Sequence, residues 1–330
     1  RTYRSSGIDA TVPGSIESAR WRKAMFKRPD LMSAKATSPS GTLSRPAAWA
    51  TFARERFQIP AVLIFGVAQS TSAQYVVSST LDWLGLAISV AGIAVLLVVM
   101  RMMDELKDLD KDRIAHPARP LPRGLISPEE VRSGLWITIG LLLVASVFIG
   151  LLWNPVAGVL LGLSVGYSLL MYREFFLPDL LGARPFSYAA THQIIIVPIY
   201  AFATATALPE AAFTQPVLWF AATGLGASFA LEVCRKLDPD AHPALGTYLS
   251  VAGPGRTATA VLAAVGLATY AAYQIGVHTI LWPVALVLLA SLGLTIVRPA
   301  SFKWTAGFAG LFVLAQVFAP TIGHFTGALP

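Results

Sequence analysis

The chain of 330 residues is 55% hydrophobic and only 13% charged, with mean hydropathy +0.62 and a formal net charge of +7. That composition points to a membrane protein. A single cysteine, Cys234, excludes an intramolecular disulfide framework and carries no chemistry by itself.

The first 50 residues hold nine Lys and Arg, three acids and eight serines, with scattered Pro and Gly and no apolar period. Residues 1–44 therefore read as a disordered or membrane-surface extension. A short surface helix around Glu17–Lys27, with Trp21, Met25 and Phe26 among basic residues, fits the second form. The Ser/Arg-rich, acid-poor composition also fits an organellar transit segment. Residues 45–330 form the second region, an all-α integral membrane domain beginning near Arg45-Pro46, with Trp49 as an interface anchor.

Apolar segments of bilayer-spanning length occur nine times, near 57–76, 81–103, 131–152, 155–172, 186–208, 216–234, 257–275, 277–297 and 304–324. Alternating these spans places the N-terminus and loops 104–130, 173–185, 235–256 and 298–303 on one side. With the bordering segment ends, that side holds every one of the 25 Lys and Arg residues. The opposite connections, near 77–80, 153–154, 209–215 and 276, and the tail 325–330 hold none. Such a bias marks the charged side as cytoplasmic, with the C-terminus opposite. It also accounts for the net charge as membrane orientation and an anion-attracting field, without nucleic acid.

The second span ends in Asp-Glu-Leu-Lys-Asp-Leu-Asp-Lys-Asp, residues 104–112. Asp104, Asp108 and Asp112 recur at i, i+4 and i+8, one slowly rotating stripe of a helix. Three carboxylates that close repel one another unless cations lie between them. Mg²⁺ suits such a stripe, because it takes one or two carboxylates and completes its shell with water and phosphate oxygens. Residues 116–124, His-Pro-Ala-Arg-Pro-Leu-Pro-Arg-Gly, follow as a stiff loop whose Arg119 and Arg123 suit diphosphate. A solvated helix end, its acids paired with Lys107, Lys111 and Arg113, explains neither the triple spacing nor the arginine loop.

Four spans later, on the same side, the sixth span closes with Glu232-Val233-Cys234-Arg235-Lys236-Leu237-Asp238-Pro239-Asp240. This placement indicates two four-helix halves, each presenting a charged motif to a shared cavity, plus a ninth helix. Three further features face the charged side or lie inside a span. Tyr172-Arg173-Glu174 opens the loop after span four, and Arg173 reaches for phosphate or snorkels. His192-Gln193 is polar within an apolar stretch, where His192 orients an acceptor, acts as a base or bonds a neighbouring helix. Tyr167, Tyr172, Phe176, Tyr188 and Tyr248 lie near the charged ends of their spans, as belt residues or as faces for a cation.

The run Asp104–Asp112 and the His-Pro-x-Arg-Pro-Leu-Pro-x-Gly loop resemble the first signature of the UbiA family of intramembrane prenyltransferases. That signature is Asn-x-x-x-Asp-x-x-x-Asp at the end of the second of nine helices, followed by an Arg-Pro-Leu-Pro segment. Asp104 stands where the family has Asn and keeps an oxygen ligand. The second signature, Asp-x-x-x-Asp, is replaced here by Glu232 and Lys236, with Asp238 and Asp240 as other candidate carboxylates.

The resemblance implies a nine-helix bundle and Mg²⁺-dependent transfer of an isoprenyl group from an allylic diphosphate to a lipophilic acceptor, aromatic or polyene. It implies Asp104, Asp108, Asp112 and Glu232 as metal ligands, with Asp108, Asp112 and Lys236 as catalytic residues. Lys107, Arg119, Arg123, Tyr172, Arg173, His192, Lys236 and Tyr248 are the implied substrate-binding residues. The alternatives are a terpene cyclase of the same fold and a non-catalytic carrier of phosphorylated lipids. An anion carrier gains nothing from a triad of acids, which favours catalysis. No Walker motif, dinucleotide fingerprint, His-Glu-x-x-His or serine elbow occurs in the chain.

Overall fold

Proline opens most of the helices. Pro46, Pro60, Pro128, Pro155, Pro178, Pro185 and Pro216 each occupy a first-turn position, where the missing N–H costs nothing. Side-chain caps sharpen other starts: Ser127 and Glu130 form a reciprocal capping box, and Asn154 accepts from the Ala157 N–H. The protein is described from a computed structural model over residues 44–241 and 247–329. The expectations for residues 1–43, including the Glu17–Lys27 helix and the targeting segment, lie outside the described residues.

In chain order the α-helices are α1 (Arg45–Arg56), α2 (Ile59–Tyr75), α3 (Trp83–Lys107), α4 (Leu109–Ala115), α5 (Pro128–Leu152), α6 (Pro155–Tyr172) and α7 (Pro178–Gly182). They continue as α8 (Pro185–Gln193), α9 (Ile196–Ala205), α10 (Gln215–Cys234), α11 (Tyr248–Gln274), α12 (His278–Val297) and α13 (Phe302–Phe325). No strand occurs among the described residues. Eight segments are long and apolar enough to cross a membrane, with α8 and α9 counted as one. The 17-residue α2 occupies the place of the first expected span. The chain is thus an all-helical, multi-pass membrane protein.

Successive spans pack side by side in a ring, and α13 returns to α2 and α10. The surface is inverted relative to a soluble bundle. On α2, Gln69, Ser70, Ser72 and Gln74 are buried, whereas Leu63, Ile64 and Val67 are exposed. In lipid there is no hydrophobic drive between helices, so small residues and interhelical hydrogen bonds hold them. Ser72 donates to the Val317 carbonyl at 2.6 Å, and the Asn154 amide donates to the Ala205 carbonyl at 2.6 Å. The Tyr200 hydroxyl donates to Gln316 at 3.0 Å, and the Gln316 amide to Thr223 at 2.9 Å, joining α9, α13 and α10. Gly226 lies so close to α11 that an added Cβ would stand 2.3 Å from the Ala264 carbonyl.

Two interruptions shape the charged end of the bundle. Pro198 cannot donate to the Ile194 carbonyl, and the expected span 186–208 breaks into α8 and α9 at Ile194–Ile195. At Gly253 (φ 79°, ψ 164°), followed by Pro254, α11 turns sharply before continuing into the membrane.

Candidate active site

The first acidic motif does not form one straight stripe. The chain bends at Asp108 (φ −92°, ψ 3°), which ends α3 and begins α4. Asp104 and Asp108 remain exposed, whereas Asp112 is buried. One Nη of Arg119 donates to both oxygens of Asp112 at 2.6 and 2.7 Å. Asp112 and Arg119 therefore neutralise each other, while the Asp112 N–H donates to the Asp108 carbonyl at 2.8 Å, one turn along. Arg123 likewise turns away to α1, donating to both Glu55 oxygens at 2.8 and 3.0 Å and to the Ala118 carbonyl at 2.8 Å. Its hydrogen bonds hold the Glu55 carboxyl below the ordinary value of 4.5. The proline-rich loop is pinned by its arginines rather than free to present them.

Beneath this motif lies an ion cluster that sequence reading did not find. Glu105 is buried and accepts from Arg56 Nε at 2.8 Å, with Arg101 Nη at 2.7 Å. It fastens α1 to α3 one residue beyond Asp104. A carboxylate four residues after an arginine at the end of an apolar run was the available signal.

Lys107 reaches across to α6 and α8. Its ammonium donates to the Met171 carbonyl and to the Tyr188 hydroxyl, each at 3.1 Å, and stands 3.6 Å from Glu174. Tyr188 stacks on His192 with ring centroids 4.0 Å apart. His192 Nδ1 donates to the Tyr188 carbonyl at 2.8 Å, which leaves Nε2 as a bare acceptor. That nitrogen is buried and has no hydrogen-bond partner among the described residues. Phe175 closes this wall, edge-on to His192 at 5.6 Å and to Tyr167 at 5.5 Å. Phe175 is placed by a turn in which Glu174, Phe175 and Phe176 all have left-handed φ, 49°, 54° and 58°. Three such non-glycine residues in a row cost energy and mark a site where position matters more than relaxation.

The second motif reaches the same space. Glu232 is clamped by its own helix, accepting from Arg235 Nε at 2.7 Å and pairing with Lys236 at 2.5 Å. Lys236 also lies 5.8 Å over the Tyr248 ring, which stacks on Phe186 at 5.3 Å. Asp104 lies in the field of Lys107, Asp108 and Arg235, and Tyr188 in that of Glu174, Asp108, Asp104 and Glu232. The two charged motifs thus lie within electrostatic reach of each other around Tyr188. Asp238 and Asp240 form a turn, the Asp240 N–H donating to Asp238 at 2.9 Å.

Of the sequence-predicted residues, Lys107 and His192 meet at Tyr188, Glu232 and Lys236 meet beside Tyr248, and Asp104 and Asp108 lie within the field felt by Tyr188. Asp112, Arg119 and Arg123 belong to the pinned loop. Tyr172 and Arg173 line a separate cavity with Lys107, Arg132 and Trp136.

Among the described residues, no three His, Cys, Asp or Glu side chains converge as a preformed metal centre. Among the described residues Asp104 makes no ion pair, and Asp108 only a loose one, 3.7 Å from Lys111. These two carboxylates, one turn apart, fit a single hard divalent ion that draws its other ligands from water and phosphate. Asp112 is paired with Arg119, and Glu232 with Arg235 and Lys236.

Comparison with known proteins agrees with this geometry. A family model described as the UbiA prenyltransferase family matches residues 62–302, which span both motifs and the helices between them. No curated protein sequence matches the chain. A solved structure from work on a digeranylgeranylglyceryl phosphate synthase in membranes superposes with a TM-score of 0.58 at 15% identity, covering 85% of this chain and 99% of that one. At that identity the likeness is one of fold. A ring of membrane helices carrying two charged motifs, matched along most of its length by that family model, makes this chain a member of the UbiA prenyltransferase family.

Proposed function

We propose that the protein transfers an isoprenyl group from an allylic diphosphate to a lipophilic acceptor, aromatic or polyene, with one Mg²⁺ held by Asp104 and Asp108. The observation that supports this is that Asp104, with Asp108 one turn along, lies in the field of Lys107 and Arg235 beside the Tyr188–His192 wall. An isoprenyl diphosphate has that same polarity: a multiply charged head and an apolar tail.

Lys107 and Lys236 bind diphosphate oxygens, Lys236 standing where a carboxylate is usual in the family and supplying charge that a second ion would otherwise bring. Mg²⁺ bound there neutralises charge that grows on the departing diphosphate. When the allylic C–O bond breaks, its electron pair leaves with the diphosphate. The faces of Tyr188, Phe175 and Tyr248 line the space where the allylic cation forms and keep water from it. The acceptor supplies the electron pair of the new bond, and His192 Nε2, bare and buried, takes the proton it releases. Asp112 and Arg119 act by fixing the loop. The one-sided distribution of Lys and Arg supports a cytoplasmic site with the C-terminus opposite.

The test is incubation of purified protein with geranyl, farnesyl and geranylgeranyl diphosphates and Mg²⁺, with and without candidate acceptors. Acceptor-dependent diphosphate release is expected. Release that needs no acceptor and yields a cyclic hydrocarbon would replace transfer by cyclisation.

A further inference from the structure

Lys107 also borders a cavity of about 350 Å³, whose other lining residues are Arg132, Trp136, Tyr172 and Arg173. It lies where α3 and α6 end and α5 begins. Three cations line it and no carboxylate does. Glu174 offsets Lys107 at 3.6 Å, but neither the Arg132 nor the Arg173 side chain has an ion pair or hydrogen bond among the described residues. Like charges gathered without acids raise the local potential, and a counter-anion from outside the chain lowers it.

The rim shows which anion. Trp136 is 46% exposed and Tyr172 half-buried, the pairing of an apolar body and a polar tip found at headgroup depth. From Arg132 the outward stripe of α5 runs i, i+4, i+8 through Trp136 to Gly140, where an added Cβ would meet nothing within 4 Å. Beside it Ile137, Leu141, Val144 and Phe148 are all exposed, an apolar strip leading into the bilayer. A charged pocket at the top and an open apolar track below match a phosphate group with acyl chains. The cavity lacks the two carboxylates and the aromatic cage of the reaction site, so it is not a duplicate of that site.

We propose that this cavity binds the phosphate of an anionic phospholipid, with Arg132 and Arg173 on the headgroup and an acyl chain along α5. The proposal does not rest on the reaction assigned above. Basic pockets between membrane helices hold lipid headgroups by this chemistry. Free phosphate shares the recognition chemistry but has no use for the apolar track.

The test is a titration of the purified full chain with dioleoylphosphatidylglycerol or dioleoylphosphatidylcholine, followed by native mass spectrometry. It uses wild type, Arg132→Gln, Arg132→Lys and Trp136→Leu, each with and without millimolar inorganic phosphate. Phosphatidylglycerol should bind in preference to phosphatidylcholine, and phosphate should not displace it. Arg132→Gln should weaken its binding about fivefold, the factor for one cation at an anionic surface. Trp136→Leu should weaken it too, whereas Arg132→Lys should keep most of it, which separates loss of charge from loss of fold. Geranylgeranyl diphosphate affinity should be the same in wild type and Arg132→Gln. Four results would overturn the proposal: equal binding of the two lipids, an unaffected Arg132→Gln, displacement by phosphate, or an equal loss of geranylgeranyl diphosphate affinity.

Discussion

Replacing Glu105 by Leu tests how the helix carrying Asp104 is held. The Glu105 side chain is 2% exposed, and Arg56 beside it is 13% exposed, so their contact is shielded from water. Arg101 is 34% exposed and can move its guanidinium outward. Removing one member of a buried pair costs about 3–5 kcal/mol, because the partner charge stays buried without compensation. Relief by Arg101 places Glu105→Leu at the low end, about 3 kcal/mol. The double variant Glu105→Leu/Arg56→Leu removes the stranded charge as well and should recover more than half of that loss. Unfolding in detergent with increasing denaturant, followed by tryptophan fluorescence, measures both. An unchanged midpoint for Glu105→Leu, or a double variant as unstable as the two singles summed, would refute this reasoning.

Asp112→Asn and Arg119→Gln should each reduce activity, and the double variant should be no worse than the single ones, because each acts through the other. Additive losses in diphosphate-release rates would restore Asp112 as an independent ligand. Lys236→Met should weaken diphosphate binding by about 1–3 kcal/mol, the range for a charged hydrogen bond. Equal affinities at every Mg²⁺ concentration would make Lys236 a surface lysine. Arg123 holds the Glu55 carboxyl below 4.5, so this contact contributes fully above the unfolded carboxyl value and is lost as pH falls through the folded one. The 119–123 loop should therefore become protease-sensitive only below about pH 4.5 in wild type but already at neutral pH in Glu55→Gln. Equal cleavage profiles would rule the contact out as the loop's anchor.

The membrane class and most spans were legible because bilayer-spanning length and apolarity are local properties, and because 25 cations fall on one side of the alternation. The acidic motif was legible for the same reason: its residues are four apart. What the spacing hid was the bend at Asp108 and the pairing of Asp112 with Arg119. The Glu105–Arg56 contact spans 49 residues, and no local pattern foretells such a meeting. That Tyr172 and Arg173 share a cavity with Arg132 and Trp136 was not legible, since helix rotation follows only from packing. The left-handed turn at Glu174–Phe176 has no glycine or asparagine to announce it.

The central claim is that Asp104 and Asp108, with Lys107 and Lys236, form one site acting on an allylic diphosphate. Diphosphate release from geranylgeranyl diphosphate by wild type and Asp108→Ala, titrated with Mg²⁺ in the presence of acceptor, tests it most directly. Wild type should release diphosphate only with Mg²⁺, and Asp108→Ala should be slower by about a hundredfold or more while still folded in the membrane. Near-wild-type, Mg²⁺-dependent release by Asp108→Ala would contradict the account.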